Sequence, residues 1–210
     1  MIECKITGLD VSIEKNNSKL LGPVSFNLVG SACTIILGPN GAGKTSLLRL
    51  LHGLDKPTTG SITWEPVAKI EEQSFVFQSP VILKRNVIEN VYYPLLLKGI
   101  PKKEAITKAE YWLEKISLNY KAYEPAISLS GGEKQRMVIA RSLIGDPKLI
   151  FLDEPTVNLD GKSKSQIENL LKQVINNGTK IIMATHDLGQ AKRLGNDILF
   201  LHHGKVLEVS

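Results

Sequence analysis

Residues 32–54, ACTIILGPNGAGKTSLLRLLHGL, indicate the architecture of this 210-residue chain. The continuous apolar run ACTIIL predicts a strand that is buried on both faces. The leucines from Leu47 to Leu54 recur at helical spacing and predict a helix. Between strand and helix, GPNGAGKT matches the pattern G-x-x-x-x-G-K-[ST], whose glycines allow successive backbone N–H groups to face a phosphate. These three parts in this order predict an α/β core that binds a nucleotide.

The polar parts of this glycine-rich loop have separate predicted roles. The helix that starts near Gly43 directs its positive end at the phosphates. Lys44 would reach the β- and γ-phosphates, Thr45 would ligate Mg²⁺, and Ser46 would donate to the α-phosphate. A plain glycine-rich turn with a surface lysine is the alternative, which the flanking strand and helix disfavour. The predicted nucleotide-binding residues of the loop are Gly38, Pro39, Asn40, Gly41, Ala42, Gly43, Lys44, Thr45 and Ser46.

A second apolar run predicts another buried strand, and two adjacent carboxylates lie at its end. The stretch LIFLDEP, residues 149–155, places Asp153 and Glu154 at the strand end. Asp153 is predicted to hold Mg²⁺ through water, and Glu154 to orient the water that attacks the γ-phosphate in line. A proline-containing turn with two carboxylates is the alternative, and the upstream phosphate loop disfavours it.

Composition narrows the class of protein. With 42% hydrophobic and 22% charged residues, the chain is typical of globular proteins. The net charge is +5, but the positive residues are scattered, so nucleic-acid binding gains little support. Cys4 and Cys33 have no further cysteine at ligand spacing, which favours buried thiols over a zinc or redox site. No apolar run approaches the roughly 18–20 residues of a membrane span, and Glu3 and Lys5 disfavour a signal peptide.

Strand and helix patterns divide the chain into an α/β part and a helical part. Strand patterns dominate the first third of the chain and return, alternating with helices, after residue 141. This alternation around a helical middle predicts an α/β core with an inserted lobe. The predicted divisions are a single domain of residues 1–210, a catalytic core of residues 1–78 and 142–210, and a helical subdomain of residues 79–141.

The phosphate loop, LSGGEKQR at residues 129–136 and LIFLDEP, in this order, resemble the ATP-binding cassette (ABC) ATPases. Three further residues match the family. Gln78 resembles the glutamine of its glutamine loop, Asp160 in NLD its late aspartate, and His186 in MATHD its switch histidine. Taken alone, a glutamine after a strand is more typical of a polar strand end, a His-Asp pair of a surface turn, and a single histidine of a hydrogen-bonding core residue. Their joint order favours the functional interpretation, and the resemblance covers nearly the whole chain.

The resemblance implies a fold, an activity and a set of ligands. The implied fold is α/β, a P-loop NTPase core with a mostly parallel sheet, an N-terminal antiparallel β subdomain and an inserted α-helical subdomain. The implied activity is hydrolysis of ATP to ADP and phosphate, with ATP and Mg²⁺ as cofactors. The residues implied by the resemblance are Glu154, His186 and Gln78 for catalysis, Asp160 for the nucleotide, and Thr45, Gln78 and Asp153 for the metal.

In this family, the LSGGEKQR stretch serves the nucleotide of a partner chain. By resemblance, Ser130, Gly131 and Gly132 would cap the γ-phosphate that the partner's phosphate loop holds. A serine hydroxyl, bare N–H groups and the start of a helix all favour an anion. The expected active unit is a head-to-tail homodimer, or a pseudo-dimer with a second cassette subunit, that encloses two ATP molecules.

The resemblance also implies a transporter motor. Such a chain is peripheral on the cytoplasmic face of the cell membrane and pairs with integral permease subunits, one of which would dock on residues 81–97 of the helical lobe. An extracellular solute-binding protein would be an indirect partner, and no nucleic acid is expected. Residues 183–208 resemble oxyanion importers, which favours tungstate as the cargo, with phosphate next and lipoprotein or amino-acid systems behind them.

Two other functions are open alternatives. A non-transport cassette that acts on nucleic acid or the ribosome would carry a long coiled coil before LSGGEKQR or a second cassette, and this chain has an interval of about ninety residues and one cassette. A P-loop kinase leaves LSGGEKQR and His186 unexplained.

One stretch departs from the ABC pattern: residues 9–21 contain no Tyr, Phe or Trp, and Ile13 is near the place of the family's adenine-stacking aromatic. Contact with adenine would then be apolar.

Overall fold

The structure, a computed structural model, describes residues 3–15, 18–28, 32–65 and 69–209. Its strands are β1 (Glu3–Lys15), β2 (Ser18–Leu28), β3 (Cys33–Leu37), β4 (Thr63–Glu65), β5 (Gln73–Val76), β6 (Leu149–Asp153), β7 (Lys180–Thr185), β8 (Asp197–His202) and β9 (Lys205–Val209). Its α-helices are α1 (Lys44–His52), α2 (Val87–Leu97), α3 (Lys102–Lys115), α4 (Gly131–Leu143), α5 (Gly161–Asn176) and α6 (Leu188–Leu194).

The larger sheet has the strand order β5-β6-β7-β3-β8-β9. Every adjacent pair from β5 to β8 is parallel, and β9 is antiparallel to β8. Because the carboxyl ends of parallel strands meet at one edge, ligand-binding residues gather there. In this register Leu37 pairs with Thr185 and Asp153 with Ala184, so the ends of β3, β6 and β7 lie side by side. The predicted α/β fold with a mostly parallel sheet is confirmed.

A second sheet of order β2-β1-β4 is antiparallel throughout, as predicted for the N-terminal part of the chain. Its register places the backbone of Ile13 opposite Leu21. The side chain of Ile13 lies outside the part of the chain that the structure describes, so the predicted adenine contact stays a prediction. The indole N–H of Trp64 in β4 donates to the carbonyl of Leu51 at 3.0 Å, which attaches this sheet to α1.

Helices α2, α3 and α4 lie between β5 and β6 in the chain. Helices α2 and α3 lie within the predicted helical subdomain and α4 runs two residues past residue 141, and the bounds of the subdomain stay a prediction. Helix α2 packs against α3 and α4, and α4 contacts β5. Pro94 lies inside α2, where a proline lacks the N–H for a helical hydrogen bond. Asn90, one turn earlier, is fully buried and hydrogen-bonds through its side-chain amide to the carbonyls of Leu83 and Arg85, which fixes the approach to the helix.

Two apolar clusters cover the two faces of the larger sheet. On one face, Leu47 and Leu51 of α1 pack with Phe151 of β6 and Leu28 of β2. Complete burial of one such side chain contributes about 1.5–3 kcal/mol. The other face is covered by α2 to α6. No helix among the described residues is long and apolar enough to cross a membrane.

Candidate functional site

The phosphate loop joins β3 to α1 through two left-handed glycines, Gly41 with φ of 78° and Gly43 with φ of 100°. A residue with a Cβ is strained in that region, so the local fold requires glycine there. The Lys44 side chain is 5% exposed and turns back over the loop. Its ammonium donates to the carbonyls of Gly38 and Pro39 at 2.8 and 3.0 Å. The lysine is therefore held at the centre of the loop.

The turn between β8 and β9 supports the loop from behind. The N–H of Gly204 donates to the carbonyl of Ala42 at 2.9 Å. A Cβ built on Gly38 would lie 2.1 Å from the carbonyl oxygen of Leu201, far inside contact distance. Gly38 is thus required for the close approach of the loop to β8, and not only for phosphate binding.

Thr45 and Asp153 form the start of a cation site. The Thr45 hydroxyl donates to Asp153 Oδ2 at 2.8 Å across the ends of α1 and β6. Asp153 is 2% exposed, and its Oδ1 is buried without a hydrogen-bond partner among the described residues. Burial raises the pKa of Asp153, and the hydrogen bond from Thr45 opposes that rise. A buried carboxylate oxygen left unpaired beside a hydroxyl fits a hard, oxygen-seeking cation such as Mg²⁺.

Glu154 lies between a lysine and a histidine. Its Oε1 is 3.0 Å from Lys44 Nζ, and its Oε2 is 3.0 Å from His186 Nδ1. Glu154 has a positive φ of 46°, a conformation that costs a non-glycine residue of order 1–3 kcal/mol. Its N–H donates to the carbonyl of Ala184 at 3.0 Å, which holds the strained turn against β7. The predicted base and the predicted switch histidine, 32 residues apart in sequence, are therefore in direct contact.

Gln78 follows β5 and faces the phosphate loop across a cavity of about 330 Å³. An adjoining cavity of about 250 Å³ has Glu154 and His186 on its wall together with Thr156. The residues lining the first cavity are Asn40, Gly41, Gly43, Lys44, Thr45, Ser46, Gln78 and Glu154. A polar cavity with backbone N–H groups at one end and a carboxylate at the other can hold a triphosphate and a water.

Ser130 immediately precedes α4, and Gly131 and Gly132 are its first two residues. None of the three lines either of these two cavities. Ser130 caps the helix: its Oγ accepts from the N–H of Glu133 at 3.4 Å, and Glu133 Oε2 accepts from the N–H of Ser130 at 2.9 Å. A Cβ on Gly131 would meet nothing within 4 Å, whereas one on Gly132 would lie 2.6 Å from Ser163 Oγ. Gly131 therefore faces open space, and Gly132 allows α4 to approach α5.

Asp160 caps α5 through Ser163. Its Oδ1 accepts from the N–H of Ser163, and its Oδ2 from the hydroxyl of Ser163, both at 2.9 Å. These bonds lower the pKa of Asp160, with the backbone bond the largest cause. Because Ser163 also contacts the site of Gly132, the predicted late aspartate and the LSGGEKQR stretch are joined within one chain.

Sequence reasoning did not single out Gln190, Thr156 and Glu168, which are 1%, 4% and 7% exposed. Thr156 lines the same cavity as Glu154 and His186, and Gln190 hydrogen-bonds to both Thr156 and Glu168. Gln190 shares the buried face of α6 with Ala191 and Leu194. A glutamine among apolar residues at helical spacing is the signal that identifies such a position.

Comparisons with known proteins give one consistent family. A family model described as ABC transporter matches residues 21–157. The tungstate uptake system ATP-binding protein TupC of Peptoclostridium acidaminophilum is 34% identical over 97% of this chain and 97% of its own length. The lipoprotein-releasing system ATP-binding protein LolD of Legionella pneumophila (strain Paris) is 39% identical over 81% of each chain. The methionine import ATP-binding protein MetN of Latilactobacillus sakei is 33% identical, and the present chain spans 64% of its length.

A solved structure agrees with these sequence relatives. The dimeric structure of a post-hydrolysis state of the ATP-binding cassette MJ0796, bound to ADP and Pi, superposes with a TM-score of 0.84 at 29% identity. The superposition covers 100% of this chain and 98% of that one. The relatives at similar identity have different cargoes in their names, so similarity alone does not assign one to this chain.

Proposed function

The chain belongs to the ABC transporter family, and on this premise we propose that it is the ATP-hydrolysing subunit of a transporter in which two such cassettes enclose two ATP molecules. The observation that carries the proposal is the placement of Glu154, with one carboxylate oxygen on Lys44 and the other on His186. Glu154 would act as the general base, and Lys44 and Thr45 would bind the phosphates and Mg²⁺.

ATP would rearrange the contacts of Glu154. The triphosphate would attract the Lys44 ammonium, which lies 3.0 Å from Oε1 of Glu154. Once Lys44 turns to the phosphates, Oε1 is free to accept a proton from the attacking water, while His186 keeps Oε2 in place. When bound, Mg²⁺ would neutralise part of the negative charge of the phosphates. Thr45 and Asp153 would hold it, with Gln78 reaching it from across the cavity.

The second cassette would complete the site. Ser130 and Gly131 lie outside the cavities around the phosphate loop, which supports their predicted role toward the nucleotide of a partner. The hydroxyl of Ser130 and the N–H groups of Gly131 and Gly132 at the start of α4 would then face the partner's γ-phosphate. ATP would bridge the two chains, and its hydrolysis would release them.

A groove on the helical side is the proposed docking site for a permease helix. It is a cavity of about 380 Å³ between β5, α2 and α4, with Phe75, Leu97 and Arg141 among its lining residues. Leu97 is 72% exposed at the end of α2. Leu97→Glu should weaken binding of the membrane subunits and leave the basal ATPase rate unchanged. Tyr111→Glu, on the exposed face of α3, is the matched control.

For the cargo we propose an inorganic oxyanion of the tungstate type, with phosphate next. The near-complete match in length to the tungstate relative supports this choice. The chain would be peripheral at the cytoplasmic face of the membrane, and a solute-binding protein outside the cell would deliver the cargo. The cargo would not touch this chain, so its identity is decided by the partners.

Affinity purification from detergent-solubilised membranes tests the function. Integral membrane subunits should co-purify with the tagged chain, and its ATPase rate should rise when they are present. A soluble assembly without membrane subunits would contradict the transporter function. A deletion strain should lose tungstate uptake, with recovery by the wild-type chain and none by Glu154→Gln. Unchanged tungstate uptake beside lost methionine import or lipoprotein release would replace the cargo proposed here.

A further inference from the structure

Gln190 connects three segments that each lie next to a predicted site residue: His186, Glu154 or Asp160. It lies in α6, four residues after His186, and its side chain is 1% exposed. Its amide nitrogen donates to the hydroxyl of Thr156 at 2.9 Å and to Glu168 Oε1 at 3.4 Å. Thr156 follows Glu154 by two residues, and Glu168 belongs to α5. The amide therefore hydrogen-bonds both to the loop that follows the predicted base, Glu154, and to the helix that follows the late aspartate, Asp160.

The orientation of this amide is fixed by its neighbours. Glu168 only accepts hydrogen bonds when ionised, so the NH₂ group, and not the oxygen, must face it. Arg193 keeps Glu168 in place by two bonds of 2.8 Å, from Nε to Oε2 and from Nη2 to Oε1. The Arg193 contact also lowers the pKa of Glu168, in line with an ionised acceptor.

The amide also carries an unpaired polar atom. The oxygen of Gln190 is buried and has no hydrogen-bond partner among the described residues. An apolar side chain of the same shape would bury no unpaired oxygen, so packing alone does not account for a glutamine here. What the glutamine adds is a directional bond from α6 to the Thr156 hydroxyl.

His186 lies between the end of β7 and the start of α6, the helix that contains Gln190. His186 is 47% exposed, and β7 ends just before it at Thr185. After His186 the chain enters α6, whose start is capped by Asp187 through a bond of 2.9 Å from the N–H of Gln190. The histidine thus lies between a fixed strand end and a short helix. Ala191 and Leu194 pack α6 into the core, and the Gln190 side chain adds a hydrogen bond from this helix to the loop after Glu154.

We propose that Gln190 is a positioning residue for ATP hydrolysis: through Thr156 and Glu168 it fixes α6 against the loop after Glu154 and so maintains the 3.0 Å contact between His186 and Glu154. The proposal rests on the roles proposed above for Glu154 and His186. Gln190 does not line the cavity at the phosphate loop, so its loss acts on turnover and not on ATP binding.

Steady-state ATPase kinetics test this with paired variants. Gln190→Leu, which replaces the amide with an apolar branched end, should lower kcat about tenfold, with KM for ATP changed less than twofold. Thr156→Val, which replaces only the hydroxyl, should lower kcat in the same way, and Thr156→Ser should restore it. The double variant should be no slower than Gln190→Leu, because both changes break one bond. Gln173→Leu and Thr107→Val are controls at exposed positions and should keep wild-type kinetics.

The outcomes separate this proposal from the function on which it rests. Wild-type kcat in both Gln190→Leu and Thr156→Val, or an equal loss in Thr156→Ser, would overturn the positioning role. A parallel loss of ATP affinity would also overturn it, because the effect would then be general misfolding. If Glu154→Gln retains full ATPase activity, the base role of Glu154 fails, whatever the Gln190 variants do. Thr156→Val keeps the test valid if Gln190→Leu does not fold.

Discussion

The ammonium of Lys44 lies 3.0 Å from Oε1 of Glu154, and both side chains are less than 10% exposed. The residue proposed to hold the γ-phosphate is thus paired with the residue proposed to activate water. In a buried pair, removal of one partner leaves the other charge without compensation. ATP supplies a competing anion for Lys44, so ATP binding would exchange the carboxylate partner of Lys44 for the phosphates.

Glu154→Gln should separate binding from hydrolysis. An amide has a negligible basicity toward water, so kcat should fall by about 10²–10⁴-fold while ATP still binds. Without nucleotide, the free energy of unfolding should decrease by about 1–2 kcal/mol, because Lys44 loses its ionic partner. Saturating ATP with Mg²⁺ should recover that loss, since the phosphates replace the carboxylate. Malachite-green assays and thermal unfolding with and without ATP measure both effects.

Glu104→Gln is the matched control, because Glu104 is 53% exposed on α3 and its contact with Lys108 is 3.9 Å long. It should change neither rate nor stability beyond about 0.5 kcal/mol. A Glu154→Gln variant that turns over within a few-fold of wild type would remove Glu154 from the base role.

Asp153→Asn should stabilise the metal-free chain and abolish its Mg²⁺-dependent activity. Burial raises the pKa of Asp153, so the unfolded chain loses this proton at a lower pH than the folded chain. The free energy of unfolding therefore decreases as the pH rises from the ordinary aspartate range through the raised value, and stays lower at neutral pH. Asparagine removes that cost and still accepts the bond from Thr45. The expected gain is about 1 kcal/mol, or roughly 2–4 °C in Tm at this size.

Thermal unfolding of wild type and Asp153→Asn in EDTA between pH 4 and pH 8 measures this difference. The variant should gain on the wild type as the pH rises. Asp146→Asn is a control at an exposed position with positive φ, which asparagine tolerates. A Tm of Asp153→Asn several degrees below wild type at pH 8 would show that the ionised carboxylate is already compensated without metal.

The positions of the main strands and of the phosphate loop could be predicted from the sequence, because burial on both faces leaves continuous apolar runs such as those of β3 and β6. The contact between Glu154 and His186 could not, since it depends on which strands are neighbours. In the larger sheet, β7 lies between β6 and β3, and this order brings the residues after Asp153 and Thr185 together. The motifs predicted which residues belong to a site, and strand order determines how they touch.

Gln190 gives a second reason why part of the site could not be predicted from the sequence. Its proposed role depends on hydrogen bonds to Thr156 and Glu168, which lie 34 and 22 residues earlier in the chain. A short apolar pattern with one glutamine gives no sign of those partners. The two glycines of LSGGEKQR look alike in the sequence, but Gly132 allows helix packing and Gly131 faces open space, because only Gly132 lies close to α5 in the fold.

Glu133 is expected to make the free energy of unfolding depend on pH in the acid range. Its side chain accepts hydrogen bonds from Lys121 and from the N–H of Ser130, both at 2.9 Å. These bonds, of which the Lys121 contact is the larger cause, lower the pKa of Glu133 from its ordinary 4.5 to about 2. The stability that this pair supplies is complete above pH 4.5 and is lost as the pH falls toward 2. Glu133→Gln, which preserves the capping box, should cost about 1 kcal/mol at pH 7 and progressively less as the pH falls from 4.5 through 2.

Chemical denaturation of wild type and Glu133→Gln at pH 7, 4 and 2.5 gives the comparison. Lys121→Met should reproduce the loss at pH 7, and the double variant should add little to either change, since all three remove one interaction. A difference of the same size at every pH would mean that charge plays no part in it.

Gly131→Ala and Gly132→Ala should fail in different ways, because a Cβ on Gly131 meets nothing within 4 Å and one on Gly132 lies 2.6 Å from Ser163 Oγ. Gly132→Ala displaces Ser163 from Asp160 and should lower the free energy of unfolding by about 1–3 kcal/mol. Gly131→Ala should change stability by less than about 0.5 kcal/mol yet reduce ATPase activity about tenfold or more, because its methyl group would occupy the space proposed for a partner's γ-phosphate. Urea denaturation gives the first effect, and steady-state ATPase rates give the second. Size exclusion with ATP in a Glu154→Gln background should show loss of the dimer on addition of Gly131→Ala. Full activity and an intact ATP-dependent dimer in Gly131→Ala would place the LSGGEKQR stretch away from any nucleotide.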